Sequence, residues 1–177
     1  PERLASFCSE NHMGVDVIPK VELDGVTVSS THIRGLLAQG NVEQANTFLG
    51  HPYSLTDRVR KGFQLGRTIG VPTVNMCFAE GVLTPKHGVY AARACFDGES
   101  HYAVTNVGVR PTVGGTTAVN VESHILDFSG DLYGRTVRIE FMRFLRPEQK
   151  FDSVDALRAQ IRKDEESARA FFRSGNA

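Results

Sequence analysis

The 177-residue sequence predicts a mainly β protein: a small antiparallel barrel of five or six strands with a C-terminal helix, preceded by a small α/β segment. Three observations lead to this prediction. From Pro52 onward, apolar and polar residues alternate with the period of two that is typical of half-buried strands. Glycine-rich loops separate these stretches, as in small barrels of short strands. An apolar stripe of helical period follows Ser153 and ends the chain.

Residues 1–50 show a different pattern. The predicted elements are a strand at Val15–Ile18, a turn and short strand at Asp24–Val28, a helix from the Ser29–Thr31 caps to Leu37, and a helix from Val42 to Leu49. Such short elements are too little for an independent core. Because the chain begins with Pro1 rather than methionine, we expect residues 1–50 to be the C-terminal remnant of a preceding domain and residues 51–177 to be a second domain.

The elements of the second segment follow one another with clear boundaries. The predicted strands are Val89–Phe96, His101–Val109, Val119–Ile125 and Val137–Phe141. Asp97-Gly98 between the first two is a hairpin signal, since both residues accept positive φ. The hydroxyl of Ser153 is the predicted N-cap of the last helix.

Composition narrows the function. Twenty basic residues balance twenty acidic ones, so the sequence offers no general electrostatic attraction to nucleic acid or an anionic membrane, and we expect neither as a partner. The three cysteines form neither a disulfide framework nor a paired metal-ligand spacing, which favours a reducing, cytoplasmic location. No apolar stretch approaches the ~18 residues of a membrane span.

The segment from residue 61 to 75 is the richest in residue types that can contact phosphate. It contains Lys61, Gly62, Gly66, Arg67 and Gly70. Backbone N–H groups at the glycines and the two cationic side chains could surround a phosphate chain. Pro72 favours an extended Val71, so no helix N-terminus follows and the segment is not a P-loop. A hairpin loop with solvated charges would explain the same pattern.

Thr73 and Asn75 lie two positions apart in an extended stretch, so their side chains point the same way. A hydroxyl and an amide oxygen are hard, neutral ligands that Mg²⁺ accepts when phosphates supply the negative charge. Capping of loop backbone is the alternative explanation.

Glu122 lies in the middle of a predicted strand, where a carboxylate could accept a proton from a substrate hydroxyl. An exposed cross-strand glutamate is the alternative there, and His124 on the same face is equally ambiguous.

Taken in order, these stretches resemble the riboflavin kinase module of bacterial bifunctional riboflavin kinase/FAD synthetases. The matching motifs are GRTIGVPTVN at 66–75, GVY at 88–90, NVGVRPT at 106–112, VESHILDF at 121–128, DLYG at 131–134, LRPE at 145–148, KFDS at 150–153, and Asp164. The resemblance covers about residues 50–172. Within the first segment, Ser29–Arg34 resembles the second nucleotide-binding motif of the same proteins' adenylyltransferase domain, whose first motif has no counterpart in this sequence.

The resemblance implies a six-stranded antiparallel Greek-key barrel and transfer of the ATP γ-phosphate to riboflavin, giving FMN and ADP. The implied roles are Glu122 as catalytic base; Thr73 and Asn75 as Mg²⁺ ligands; Gly62, Gly66, Arg67, Gly70, Thr73, Tyr133 and Gly134 on the ATP side; and Asn106, Arg146 and Phe151 on the flavin side. It also implies a flap in the loop after Asn106, and a fragment joined in its parent protein to an adenylyltransferase domain but unable to make FAD.

Two positions depart from the family pattern. Asp57 stands where the family commonly has glycine, and Val71 replaces a frequent phenylalanine. Because valine is smaller, we expect weaker nucleotide binding than with phenylalanine at position 71.

Two other functions compete with the kinase. A regulatory domain that binds flavin or nucleotide would need no base such as Glu122. A nucleic-acid-binding barrel would need a basic face with interleaved aromatic residues.

Overall fold

The computed structural model describes residues 2–62, 66, 70–111 and 117–175. The chain divides into two compact units, Pro1–Ser30 and Thr31–Ala177. The helices are α1 (Glu2–Glu10), α2 (Ser30–Gln39), α3 (Val42–Leu49) and α4 (Val154–Arg173). The strands are β1 (Glu22–Leu23), β2 (Val26–Thr27), β3 (Tyr53–Arg58), β4 (Val74–Cys77), β5 (Gly88–Phe96), β6 (Glu99–Pro111), β7 (Thr117–Ile125) and β8 (Thr136–Arg146).

The first unit contains α1 and the β1–β2 hairpin. Asp24 and Gly25 both have positive φ at the turn, which confirms the predicted turn and the strand after it. The strand predicted at Val15–Ile18 is wrong, because no described strand pairs with this stretch and Ile18 is 85% exposed. Helix α1 was missed because its large apolar side chains, Leu4 and Phe7, are exposed and form no buried stripe.

The second unit is built on a six-stranded antiparallel sheet with the order β3-β8-β5-β6-β7-β4. Strands β5, β6 and β7 follow one another as neighbours, and β8 returns to pair with β5. This order is that of a Greek key, which confirms the predicted fold class. An antiparallel bridge between Arg60 and Asn75 brings the two edges of the sheet together, so the barrel is nearly closed.

Alternation along the strands fills the barrel with apolar side chains. Tyr90, Ile139 and Phe141 are fully buried there. The predicted hairpin between β5 and β6 is confirmed, with positive φ at Asp97 and Gly98. The loop predicted from Asn106 begins later than expected, because β6 continues through Pro111. The remainder of the predicted flap, residues 112–115, lies outside the described residues.

Helices α2 and α3 confirm the two helices predicted in the first segment. Leu37 and Ala45 are buried in the same apolar cluster as the barrel interior, and Asn46 Nδ2 donates to the Phe141 carbonyl at 2.8 Å. The division between compact units therefore falls at Thr31, inside the predicted 1–50 segment. Compactness does not report evolutionary origin, so the assignment of residues 1–50 to a preceding domain stays a prediction.

Helix α4 packs on the outer face of the sheet. The Ser153 hydroxyl accepts from Ala156 N at 3.1 Å, which confirms the predicted cap. Ala168, Phe171 and Phe172 form a second apolar cluster whose strand residues are Val89, Ala91, Val104 and Met142. Within the described ranges, no helix combines the length and the apolar character that crossing a membrane requires.

Candidate functional site

One row of register positions crosses five strands of the barrel. Asn75 of β4 lies opposite Glu122 of β7, and Glu122 lies opposite Asn106 of β6. Asn106 in turn lies opposite Val89 of β5, which is opposite Arg146 of β8. Neighbouring strands are ~4.8 Å apart, and opposed residues point to the same face. We call these five residues the site row; it joins positions that are up to 71 residues apart in the chain.

Asn120 orients the carboxylate of the site row. Its Nδ2 donates to Glu122 Oε1 at 2.9 Å and lies 3.5 Å from Asn75 Oδ1. Asn120 is two residues before Glu122, so both side chains lie on the same face of β7. The predicted base and the predicted metal ligand therefore share one amide neighbour, and Glu122 itself is half-buried.

A cavity of about 410 Å³ opens beside the β4 end of the site row. Its size falls in the range of small-molecule pockets. Thr73, Asn75 and Tyr133 all line it, so the structure brings together the two predicted metal ligands and one predicted ATP-side residue. The other lining residues are Val59, Pro72, Val74, Ser123, Ile125, Phe128, Ser129, Gly130, Asp131 and Leu132.

Two glycines of the predicted phosphate loop lie against the ligand pair. A Cβ at Gly62 would meet the Asn75 side chain at 2.5 Å. A Cβ at Gly66 would overlap the Val71 carbonyl oxygen and lie 3.4 Å from Thr73 Oγ1. The absence of side chains at both positions thus lets the backbone of Gly62 and Gly66 approach Thr73 and Asn75.

The other predicted ATP-side residues have different surroundings. Gly70 is exposed in a turn with φ +79°, and no heavy atom outside its immediate neighbours lies within 4 Å of an added Cβ. Gly134 also has positive φ, and its N–H donates to the Val59 carbonyl at 2.9 Å at the edge of the cavity. Arg67 lies outside the described residues.

At the other end of the site row, the predicted flavin-side residues are already engaged. Arg146 donates to both carboxylate oxygens of Asp164 at 2.8–3.1 Å, and its guanidinium lies 5.8 Å from the centroid of the Phe151 ring. Asn106 Nδ2 donates to Glu148 Oε1 at 3.2 Å. The ion pair with the buried Asp164 therefore fixes Arg146 against α4.

The donor set near Asn75 fits a hard cation that also binds phosphate. Thr73 offers a hydroxyl and Asn75 an amide oxygen, both neutral, on the wall of one cavity. Asn75 is 8% exposed, and its amide lies where a Cβ at Gly62 would be. In the described part of the chain, no group of three or more His, Cys, Asp or Glu side chains could hold a metal ion. These residues suit Mg²⁺ with phosphate ligands better than a metal site formed by protein alone.

Sequence reasoning missed Ser123 and left the role of His124 open. The cavity floor includes Ser123, whose hydroxyl lies 2.7 Å from that of Thr105 inside the barrel. His124 Nδ1 lies 2.8 Å from the Pro72 carbonyl oxygen, 52 positions away in the chain. A period of two places His124 on the face of Glu122, but only the strand register identifies its partner.

Comparisons with known proteins show which family this chain resembles. Residues 49–172 match the Flavokinase family, described as riboflavin kinase. The bifunctional riboflavin kinase/FMN adenylyltransferase of Listeria monocytogenes is 39% identical over 164 residues, which cover 93% of this chain and 52% of that protein. The chain spans about half the length of the curated relatives it matches.

Solved structures are similar as well. A Streptococcus pneumoniae structure described as a macrolide-efflux protein has a TM-score of 0.83 and 35% identity, covering 95% of this chain and 54% of that one. Riboflavin kinase from Trypanosoma brucei has a TM-score of 0.53 and 26% identity, covering 69% of this chain and 80% of that one.

Proposed function

The chain belongs to the riboflavin kinase family, and from this membership we propose that it transfers the γ-phosphate of ATP to the 5′-hydroxyl of the ribityl chain of riboflavin. The products are FMN and ADP. The observation that carries the proposal is the site row, in which Asn75, Glu122, Asn106 and Arg146 lie on one line of register positions across the strands, with Asn75 also lining the cavity of about 410 Å³.

The proposed chemistry is phosphoryl transfer by alignment. The 5′-hydroxyl oxygen attacks the γ-phosphorus, a new O–P bond forms, and the bond from that phosphorus to the β,γ-bridging oxygen breaks. The hydroxyl proton passes to the Glu122 carboxylate, and ADP leaves. The Asn120 amide, 2.9 Å from Glu122 Oε1, keeps the carboxylate in one orientation during the transfer.

Nucleotide occupies the cavity in this proposal, with its phosphates near Thr73 and Asn75 and its adenine towards Tyr133. Thr73 Oγ1 and Asn75 Oδ1 would hold Mg²⁺, which supplies positive charge that offsets the charge of the phosphate oxygens. Gly62 and Gly66 keep the loop backbone close to these phosphates. The flavin lies at the opposite end of the site row, near Asn106, Arg146 and Phe151.

Residues 1–50 are, in this proposal, the end of an adenylyltransferase domain, with Ser29–Arg34 as part of its nucleotide site. Two findings support this. Relatives named as bifunctional riboflavin kinase/FMN adenylyltransferases are about twice as long as this chain. The first unit also exposes several large apolar side chains, among them Leu4, Val17, Ile18 and Val21.

The three cysteines are unpaired, which supports a reducing, cytoplasmic location.

One incubation tests both proposals. The protein is incubated with riboflavin, ATP and Mg²⁺, and the flavins are then separated by chromatography. We expect FMN and no FAD, and omission of Mg²⁺ should abolish FMN formation. Absence of FMN in the complete mixture would contradict the kinase and favour a regulatory domain that only binds its ligands. Formation of FAD would contradict the proposal that the adenylyltransferase site is incomplete.

A further inference from the structure

The segment that carries Thr73 and Asn75 lies at the barrel seam, where β4 meets the end of β3. On one side, β4 pairs with β7 along its full length from Val74 to Cys77. On the other side, the bridge described between the strands is the single one at Arg60, whose N–H donates to the Asn75 carbonyl at 2.9 Å. A short strand with so few backbone partners needs other contacts to hold its side chains in place.

Side chains supply these contacts at both ends of the segment. Just after Asn75, the Cys77 N–H donates to Asp57 Oδ2 at 3.1 Å. Just before Thr73, the Pro72 carbonyl oxygen lies 2.8 Å from His124 Nδ1. Because a carbonyl oxygen only accepts, His124 must carry a hydrogen on Nδ1 and donate it.

Each of these side chains is itself held. Asp57 also pairs with the Arg60 guanidinium at 3.4 Å. Burial alone raises the pKa of the Asp57 carboxyl, but hydrogen bonds from the backbone of Cys77 and Arg58 and the charge of Arg60 outweigh burial, and the pKa lies below its ordinary value. His124 Nε2 lies 3.5 Å from Glu165 Oε1 on α4. The segment is therefore attached to β3 at one end and to β7 at the other.

We propose that Asp57 and His124 are positioning residues, which fix the spacing and direction of the Thr73 hydroxyl and the Asn75 amide towards Mg²⁺ and the nucleotide phosphates. Neither touches the ligand; each acts through a backbone group next to it. Asp57 stands where the family pattern commonly has glycine. Its side chain makes a contact across the seam that glycine, which has no side chain, could not make. The inference rests on the proposed function, because it concerns the Mg²⁺ and phosphate ligands assigned there.

The test measures ADP binding by calorimetry, once with MgCl₂ and once with EDTA, for wild type, Asp57→Ala and His124→Ala. A lost hydrogen bond of ordinary strength corresponds to an about two- to tenfold change in affinity. We expect ADP affinity to fall by about this factor in MgCl₂ and to change little in EDTA. Melting curves by circular dichroism establish that every variant is folded at the temperature of the titration.

Two conservative variants and one control separate positioning from general destabilisation. Asp57→Asn keeps an oxygen that accepts from Cys77, and His124→Asn keeps a nitrogen that can donate to Pro72, so both should restore most of the Mg²⁺-dependent affinity. Glu99→Ala removes an acidic residue from the start of β6, where its carboxylate contacts His101, and should leave ADP affinity unchanged.

Failure of this inference differs from failure of the proposed function. If wild type forms FMN and both alanine variants bind ADP as wild type does, or lose equal affinity in MgCl₂ and in EDTA, the positioning role is wrong and the kinase remains. If wild type forms no FMN and shows no Mg²⁺-dependent ADP binding, the proposed function is wrong and the positioning role is wrong with it.

Discussion

Strands β5, β6 and β8 form one wall of the barrel, and β3 and β4 form its seam; apolar packing contributes to both regions, and polar side-chain contacts add to it at the seam. The wall strands are 9, 13 and 11 residues long and bury Tyr90, Ala92, Val107, Ile139 and Phe141 between them. Strand β4 has four residues and is bound at the seam by polar contacts from Asp57 and Arg60.

Apolar packing and polar contacts contribute differently to the stability of the fold and to the chemistry of the site. Burial of apolar surface stabilises a fold without demanding a particular direction of any one group. A phosphate or metal site needs polar atoms in fixed positions, and those atoms are better held by hydrogen bonds than by apolar packing. We therefore expect substitutions at the wall to change the free energy of unfolding, and substitutions near the seam to change ligand binding or turnover.

The largest effect is expected at Glu122. Glu122→Gln removes the base but keeps the shape of the side chain, so kcat should fall by about 10²–10⁴, or ~3–5 kcal/mol of transition-state stabilisation. The free energy of unfolding, measured by urea titration, should change by less than ~0.5 kcal/mol. A kcat within threefold of wild type would remove Glu122 from the chemistry.

A comparable effect on stability, rather than on turnover, is expected at the wall. Phe141 is fully buried and contacts the rings of Tyr53, Phe78 and Tyr90. Phe141→Ala should lower the free energy of unfolding by ~3–5 kcal/mol, because the cavity cannot collapse fully. Urea titration measures the loss.

The milder Phe141→Leu variant keeps the comparison usable if Phe141→Ala does not fold. Its folded fraction should retain kcat close to wild type. A kcat reduced as far as in Glu122→Gln would show that wall and site are not separable in this protein.

An intermediate effect is expected at Gly62. A Cβ there would lie 2.5 Å from the Asn75 side chain, so Gly62→Ala must displace that amide. Overpacking of this kind costs ~1–3 kcal/mol, and we expect it in Mg²⁺-dependent nucleotide binding, measured as a higher KM for ATP. Gly35→Ala is the better control, because no heavy atom outside its own helix backbone and chain neighbours lies within 4 Å of an added Cβ and its φ is not positive. Gly98→Ala is a poorer control because the φ of Gly98 is positive. Equal KM values for wild type, Gly62→Ala and Gly35→Ala would contradict the close approach at Gly62.

The smallest effect is the contribution of Asp57 to stability. The Arg60 guanidinium lies 3.4 Å from the Asp57 carboxylate, and the neutral Cys77 thiol makes a weak contact with it at 3.8 Å. The pKa of the Asp57 carboxyl is lower in the folded protein than in the unfolded chain. Its contribution to the free energy of unfolding is therefore present above the unfolded pKa of ~3.9, and it is lost as the pH falls through the pKa of the folded protein. Asp57→Ala should cost ~1 kcal/mol at neutral pH.

The pH dependence of that cost provides the check. Urea titrations of wild type and Asp57→Ala should differ by a constant amount from pH 7 down to about pH 5, and the difference should shrink below ~4. A difference that grows on acidification would mean that the carboxyl is protonated in the folded protein and does not accept from Cys77 as a carboxylate.

Much of the fold follows from local patterns. The alternation from Val89 to Phe96, the Asp97-Gly98 turn and the Ser153 cap were all predicted, because strand period, positive φ and capping depend on residues close in the chain. The strand at Val15–Ile18 was predicted wrongly, because an apolar run becomes a strand only when another strand pairs with it.

The sequence by itself determined the class of fold, the turns and caps, and the residue types available for phosphate chemistry. Tertiary structure alone decided which of these residues meet. Asn75, Glu122, Asn106 and Arg146 share one row only through the register of five strands, and Asp57 and His124 reach the ligand segment from 20 and 52 positions away. The physical reason is that period and propensity act over a few residues, whereas register and barrel closure depend on the simultaneous burial of all six strands.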